Sequence, residues 1–245
     1  MVGLADPVIW HDVECGGYEA DLPLWRDLAD AAGGPLLEIG SGTGRVALDL
    51  AARGFDVAAL DSDAALVGAL DERARERALA VPASVADARS FVLPRDGFAL
   101  IFAPMQVVQL MGGPDGRASM LARVREHLAP GGVFAAALAD PFDGFPAEEV
   151  GPPLPDVREQ DGFVYSSLPL GALSDGDSLL VDRLRQLVDP GGRLTESRDQ
   201  VRLQLISAEQ LEAEAGAAGL RPAGRRRIEA TDSHVGSTVV LLEVD

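Results

Sequence analysis

The segment from residue 36 to 61, LLEIGSGTGRVALDLAARGFDVAALD, constrains the fold more than any other part of the chain. It begins with an apolar run typical of a buried strand, and three glycines follow on alternate positions, Gly40, Gly42 and Gly44. An amphipathic helix and a second apolar strand come next, and this strand ends in Asp61. A strand, a glycine turn, a helix and an acid about twenty residues further on form the unit that binds an adenosine ribose. The segment therefore predicts a parallel βαβ unit with such a site; the alternative is an ordinary tight turn.

The spacing of the glycines indicates which nucleotide is bound. A dinucleotide site uses G-x-G-x-x-G, but here the third glycine comes one residue early and Arg45 stands in its place. Glu38, two residues before the first glycine, suits a cationic ligand and would repel a pyrophosphate. The pattern E-x-G-x-G-x-G resembles motif I of the class I S-adenosylmethionine (SAM) methyltransferases. The residues therefore favour SAM over NAD as the cofactor.

Composition excludes several other classes of function. The 245 residues carry a net charge of −18, which disfavours nucleic acids and anionic membranes as partners. All 21 basic residues are arginine, so neither a P-loop lysine nor a Schiff base is available, and the absence of asparagine excludes N-glycosylation. The lone Cys15 and three scattered histidines lack the spacing of a metal site, so we expect no metal. With no signal peptide or membrane span in the sequence, we expect a cytoplasmic protein.

The first 140 residues alternate between helix and strand patterns. Strands are predicted at 36–39, 56–60, 83–86, 98–103 and 133–138, and helices at 18–32, 45–53, 64–79 and 115–129. A helix at 207–218, capped by Ser207 with Gln210 at the capping-box position, precedes two closing strands at 224–230 and 237–244. This alternation predicts an α/β fold with a mostly parallel sheet and helices on both faces.

Residues 140–206 differ from this pattern. The Pro- and Gly-rich stretch at 140–160 predicts a loop, and 162–206 reads as strands joined by the turns SDGD and DPGGR. We therefore expect one domain over 1–245, with an N-terminal helix and cap at 1–33 and an antiparallel, substrate-side insertion at 140–206.

The whole pattern from about residue 17 onward resembles the class I methyltransferase fold, a Rossmann-like sheet of seven strands. Within it, the tyrosine-bearing first helix and the insertion after strand five resemble the small-molecule, glycine N-methyltransferase-like group. The resemblance implies that SAM is the cofactor and S-adenosylhomocysteine (SAH) the product. It implies a set of cofactor-binding residues from the glycine loop, the strand ends and the first helix: Glu38, Gly40, Ser41, Gly42, Gly44, Asp61, Ser62, Asp87, Ala88, Ala103 and Tyr18.

Carboxylates suit two of these positions chemically. The paired ribose hydroxyls need an acceptor, which Asp61 provides, and Asp87 can accept from the exocyclic amine of adenine. The alternatives are a helix-capping role for Asp61 and a turn role for Asp87.

Candidate substrate contacts come from the end of strand four, the first helix and the late strands: Gln106, Gln109, Trp25, Tyr165 and His234. Trp25 and Tyr18 are also compatible with simple core packing, and His11 and His127 are expected at the surface. The segment from Ala103 to Gln106 departs from the Asn/Asp-Pro-Pro-aromatic pattern of methyltransferases that act on nucleobases or glutamine. We therefore expect a small-molecule acceptor, and a monomer or homodimer.

The expected reaction is in-line transfer of a methyl group from SAM to a nitrogen or oxygen atom of that acceptor. Such a reaction depends mainly on holding donor and acceptor in line, so no catalytic residue is assigned. A non-catalytic SAM-binding or regulatory protein is the main alternative. An NAD-dependent reductase is a remote one, because the chain has neither the third glycine of that fingerprint nor any lysine.

Overall fold

A computed structural model describes residues 6–139, 154–231 and 234–244. They form a mostly parallel seven-stranded sheet with helices on both faces and a separate four-stranded antiparallel sheet. This confirms the predicted fold class, including the antiparallel insertion after the fifth strand.

The strands of the large sheet lie in the order β10-β11-β5-β4-β1-β2-β3. Only β11 runs antiparallel to its neighbours, β5 and β10. Their bounds are β1 Leu36–Ile39, β2 Val57–Asp61, β3 Ala83–Val85, β4 Phe98–Ala103, β5 Leu128–Ala139, β10 Arg221–Ile228 and β11 Ser237–Glu243. The carboxyl ends of β1 to β4 therefore meet at one edge, which is where open α/β sheets bind their ligands.

The helices cover the two faces of this sheet. Their bounds are α1 Pro7–Cys15, α2 Leu22–Ala32, α3 Arg45–Ala52, α4 Ala64–Glu76, α5 Pro114–His127 and α6 Ala208–Ala217. Alternate residues of β1 point to opposite faces, so Leu36 packs with α2, α3 and α4, while Leu37 and Ile39 pack with α5 and α6. Ser207 and Gln210 form the predicted capping box at the start of α6.

The antiparallel sheet consists of β6 Asp156–Gln160, β7 Phe163–Asp175, β8 Ser178–Val188 and β9 Leu194–Gln204, paired in chain order. Helix α1 packs on one face of it through a small core in which Trp10 meets Tyr165 edge to face, with ring centroids 5.7 Å apart. The division of the chain into a single domain with a cap at 1–33 and an insertion at 140–206 stays a prediction, since 140–153 lie outside the described residues.

The predicted helix at 18–32 is wrong at its start. The structure has two helices in this region, and Tyr18 lies in the turn between α1 and α2. Helix α1 begins where Asp6 caps the N–H of Val8 at 3.0 Å and Pro7 occupies the first turn, which are common start signals. In the part of the chain that the structure describes, no helix is long and apolar enough to cross a membrane.

Candidate functional site

A cavity of about 390 Å³ lies at the carboxyl edge of the large sheet. Its size falls in the range of sites that enclose a cofactor-sized ligand. The wall combines the loops after β1 to β4 with one side of α1: His11, Cys15, Glu38, Gly40, Ser41, Arg45, Leu60, Asp61, Ser62, Leu66, Ala86, Asp87, Ala88, Arg89, Pro104, Met105, Gln106, Val107, Leu110 and Met111. The structure thus brings together seven of the eleven expected cofactor-binding residues and one of the five expected substrate contacts, Gln106.

Asp61 joins the end of β2 to the glycine loop. Its Oδ2 accepts the N–H of Gly42 at 2.8 Å, and its Oδ1 accepts the N–H of Asp63 at 2.9 Å. A carboxylate oxygen has more than one lone pair, so both oxygens of Asp61 can accept a further hydrogen bond from the cavity side. The cap of α4 is Asp63, so the capping alternative for Asp61 does not hold.

Glu38 is a buried carboxyl group in the cavity wall, only 2 % exposed. Its Oε2 accepts the N–H of Ala47 at 2.8 Å. Burial raises the pKa of Glu38 to about 8, although nearby Arg45 and the Ala47 hydrogen bond act in the opposite direction. A buried acid at this position favours a cationic group beside it.

Ser41 adds a polar group that needs a partner. Its side chain is buried in the cavity wall, and its Oγ has no hydrogen-bond partner among the described residues. Buried hydroxyl groups in folded proteins nearly always make a hydrogen bond. Within the described chain, the Oγ of Ser41 thus lacks the partner that such a group normally has.

Asp87 forms an ion pair within the wall of the cavity. Its carboxylate takes the Arg89 guanidinium in a two-point contact, with Arg89 Nη2 2.6 Å from Oδ2, and the pair is largely exposed. The Arg89 hydrogen bonds hold the pKa of Asp87 at about 2, so the group is ionised. The neighbouring Ala88 is buried and also faces the cavity.

His11 and Cys15 of α1 line the cavity, and the sequence analysis missed both. Burial lowers the pKa of His11 against the opposing effect of Asp12 and Asp61, so the imidazole is neutral near pH 7. Burial likewise raises the pKa of Cys15 to about 11, which keeps it a thiol. The Asp-Pro start signal of α1 and the apolar pattern after it could have revealed this helix. His127, expected at the surface, is also buried, and it accepts the Leu93 N–H at 3.2 Å.

The loop after β4 forms another wall through Pro104, Met105, Gln106 and Val107. Met105 has φ +57°, a left-handed conformation that is rare for a residue with a side chain. Gln106, an expected substrate contact, lies in the cavity wall. Ala103 does not line the cavity, because its side chain is fully buried in the core under α5.

Gly42 and Gly44 lie in the loop without lining the cavity. Gly42 has φ +53°, and a Cβ there would lie 2.0 Å from His11 Nε2. Gly44, with φ +89°, is the residue that starts α3. Both positions require glycine for backbone reasons, and direct ligand contact is not needed to explain them.

Tyr18 and Trp25 do not line the cavity. Tyr18 is buried between the Arg45 guanidinium, 5.2 Å from its ring centre, and the His234 ring at 4.7 Å. Trp25 is fully buried, and its Nε1 donates to Asp21 at 2.8 Å. The packing alternative therefore describes both aromatic residues better, because other groups of the protein fill the space around them.

Three expected substrate contacts are also placed away from the cavity wall. Tyr165 is buried in the core under α1, and His234 packs on Tyr18. Gln109 is 2 % exposed, its Nε2 donates to the carbonyls of Ala139 and Gln204 at 3.1 and 3.3 Å, and its Oε1 accepts the Ala139 N–H at 2.9 Å. These contacts engage both the nitrogen and the oxygen of the amide and make Gln109 a bridge between β5 and β9.

In the described ranges, no group of three or more His, Cys, Asp or Glu side chains is arranged to hold a metal ion.

Comparisons with known proteins agree with this geometry. Residues 36–132 match a family described as a methyltransferase domain. A search of curated sequences gave no match.

Several solved structures share the fold over nearly the whole chain. The CcbJ methyltransferase from Streptomyces caelestis has a TM-score of 0.73 at 21% identity, covering 98% of this chain and 97% of that one. SAM-bound CalS10, an amino pentose methyltransferase from Micromonospora echinaspora, has a TM-score of 0.72 at 20% identity with 100% of both chains covered. The sugar N-methyltransferase KedS8 from a Streptoalloteichus species has a TM-score of 0.72 at 23% identity, covering 98% and 93%. Residues 36–132 thus match a methyltransferase domain family, and the chain as a whole has the class I methyltransferase fold of these solved structures, one of which is bound to SAM.

Proposed function

We propose that the cavity binds SAM and that the protein transfers the methyl group to an amine of a small, sugar-like acceptor. The observation that carries this proposal is the convergence of Glu38, Ser41 and Asp61 on one cavity at the carboxyl edge of the sheet. Each of these groups offers a hydrogen-bonding or charge partner that a different part of SAM can use.

The nucleoside end of SAM fits beside β2 and β3. Asp61 has lone pairs for the two ribose hydroxyls, and Ser62 follows it in the wall. Asp87 and Ala88 are placed to receive the adenine, with the carboxylate as acceptor for the exocyclic amine. Because Arg89 already pairs with Asp87, the adenine amine would share that carboxylate with the guanidinium.

The amino-acid end fits beside the glycine loop. Glu38 suits the ammonium group, since a cation beside a buried carboxyl favours its charged form against the effect of burial. The unpartnered Ser41 Oγ can bond to the carboxylate, and Arg45 adds positive charge to the same wall. Gly42 and Gly44 support this end by shaping the backbone.

SAM supplies a methyl group that its sulfonium already activates for displacement. The protein has to hold the acceptor atom in line with it and keep water out. Two walls of the cavity are not used by the nucleoside or amino-acid end of SAM in this arrangement: the loop from Pro104 to Val107 and the side of α1 around Cys15. We assign these walls to the acceptor. We assign no proton acceptor, because an amine that arrives neutral needs none.

The acceptor class is proposed from the solved relatives together with the cavity. KedS8 is described as a sugar N-methyltransferase and CalS10 as an amino pentose methyltransferase. Gln106 is the polar side chain of the β4 loop in the cavity wall, and an amide can bond to the hydroxyl groups of a sugar. We also propose that the chain works as a single domain, as a monomer or homodimer.

Isothermal titration with SAM, SAH and NADH tests the cofactor. We expect SAM and SAH to bind and NADH not to bind; absence of SAM binding at millimolar concentration would overturn the proposal.

Transfer of label from methyl-labelled SAM to a panel of amino sugars and their hydroxyl analogues tests the reaction. Label on the amino compounds alone supports an amine acceptor, and label on the hydroxyl analogues points to oxygen. Tight SAM binding without transfer to any member or to a pooled metabolite extract would favour the non-catalytic alternative.

A further inference from the structure

Helix α1 places an imidazole on the glycine loop. The His11 ring covers the Cα of Gly42 so closely that a Cβ there would lie 2.0 Å from Nε2. Its Nδ1 lies 3.3 Å from Thr43 Oγ1. His11 is also part of the cavity wall, next to the proposed position of SAM.

The next residue of α1 fixes the helix to three other elements. Asp12 is buried, and its Oδ1 accepts from Thr43 Oγ1 at 2.8 Å and from Arg73 Nη1 of α4 at 2.9 Å. Arg158 of β6 lies 3.2 Å from its Oδ2. Because Thr43 belongs to the glycine loop, Asp12 ties α1 to that loop.

Glu14 ties the same helix to the antiparallel sheet. It accepts from Arg185 Nε at 2.7 Å, from Arg185 Nη2 at 2.9 Å and from Ser167 Oγ at 2.8 Å. Burial by itself would raise the pKa of Glu14, but the hydrogen bonds from Arg185 and Ser167 outweigh it and hold the pKa below its usual value. Arg185 also lies over the Trp10 ring at 5.3 Å.

These contacts connect the proposed SAM site to the antiparallel sheet, whose described residues do not line the cavity. Glu14 stands one helical turn from His11, and none of Glu14, Ser167 and Arg185 faces the cavity. A shift of the antiparallel sheet would therefore move the imidazole along with the rigid helix.

We propose that His11 contacts the bound methyl donor, and that the antiparallel sheet sets the position of His11 through Glu14 as a positioning residue. The inference rests on the proposed function, since it takes the cavity to be the SAM site. The inference assigns a SAM-binding role to α1. It also makes the affinity for SAM depend on the antiparallel sheet, which we expect on the acceptor side.

A double-mutant cycle with SAH as the titrated probe tests this inference. We expect His11→Ala to raise the Kd for SAH about tenfold, the value of one good hydrogen bond. Glu14→Gln should raise it about threefold to tenfold through misplacement of the ring. If Glu14 acts through His11, the double variant should bind SAH about as well as His11→Ala alone, because the two effects then do not add.

The matched control is Asp175→Asn, which removes an exposed ion pair with Arg202 in the same sheet and should leave the Kd unchanged. In the Glu14→Gln variant, Arg185 keeps Asp199 as an ion-pair partner at 3.1 Å. Thermal unfolding checks that this variant folds. Should it fail to fold, Ser167→Ala replaces it in the cycle, since this change removes a single contact to Glu14.

Unchanged SAH affinity in His11→Ala would overturn the binding role. Independent, multiplying effects of the two substitutions would overturn the positioning role. Absence of SAH binding by the wild-type protein would instead overturn the proposed function, and this inference with it.

Discussion

The backbone N–H of Gly42 donates to Oδ2 of Asp61 over 2.8 Å, so the glycine loop and the acid at the end of β2 form one unit. They are nineteen residues apart in the chain, and β1 and β2 bring them together by pairing in parallel. The acid therefore has two tasks in the proposed site: it shapes the loop and it receives the ribose.

Replacement of Asp61 by Ala should weaken SAM binding by roughly 1.5–3 kcal/mol, the value of hydrogen bonds to a charged group. The loss of the Gly42 contact adds to the loss of the ribose acceptor. Titration of SAM into the variant measures the effect. Asp56→Asn, which removes an exposed carboxylate paired with Arg95 just before β2, is the matched control. Equal affinity of the Asp61 variant and the wild type would refute the ribose role.

Gly42→Ala should destabilise the protein more than Gly54→Ala. Both glycines have positive φ, +53° and +91°, so a side chain strains the backbone at either position by about 1 kcal/mol or more. Only at Gly42 does the new Cβ meet another group, His11 Nε2 at 2.0 Å, while nothing lies within 4 Å at Gly54.

Urea unfolding of both variants measures the difference. Combining Gly42→Ala with His11→Ala should recover the excess loss but not the backbone strain. Equal free energies of unfolding for the two single variants would show that the imidazole does not press on the loop.

Glu38 should make the protein less stable as the pH rises from about 4.5 to about 8. Burial raises the pKa of this carboxyl group from its ordinary value of 4.5 to about 8 in the folded protein. Between those two values the unfolded chain has already released the proton that the folded chain still holds. The unfolded state therefore binds fewer protons, and the free energy of unfolding falls with pH.

Unfolding of wild type and Glu38→Gln at pH 5 and pH 8 isolates this effect. The wild type should lose more stability than the variant between the two values, since the amide does not titrate. A variant that loses as much as the wild type would show that Glu38 ionises normally in the folded protein.

The two glutamines after β4 should respond differently to replacement by Leu. Gln109→Leu leaves the buried N–H and carbonyl of Ala139 without their partner and should cost about 1–3 kcal/mol of folding free energy. Gln106→Leu changes the cavity wall and should raise the KM for the acceptor with little loss of stability.

Urea unfolding and steady-state kinetics on both variants separate these roles. A Gln109→Leu variant that keeps its stability but has a raised KM for the acceptor would contradict this prediction and indicate that Gln109 contacts the substrate.

Short-range patterns were sufficient to predict most of the large sheet. The strand at Leu36–Ile39 and the one at Phe98–Ala103 have the predicted bounds, because uninterrupted apolar runs between turn residues leave little choice. The two acids, Asp61 and Asp87, lie in the wall of one cavity because parallel strands bring their carboxyl ends to one edge of the sheet.

The errors concern residues whose role depends on long-range packing. Tyr18 and Trp25 have a spacing that fits a helix, but nothing local shows that the cavity is lined by the preceding helix instead. Gln109 looks like a polar residue close to a binding loop until β9, nearly one hundred residues later, closes over it. His11 lies at the cavity because α1 folds onto the glycine loop, a contact between distant parts of the chain that no local pattern predicts.

The bridge that Gln109 builds between Ala139 and Gln204 has a consequence for modular exchange among such enzymes. The large sheet's strand β5 ends at Ala139, and the last strand of the antiparallel sheet ends at Gln204. The Gln109 side chain therefore bonds to both ends of the insertion. A graft that imports another insertion between these two points keeps the same anchor, because the bridge bonds to backbone atoms that every residue carries. The structure thus marks Ala139 and Gln204 as crossover points at which the insertion can be exchanged.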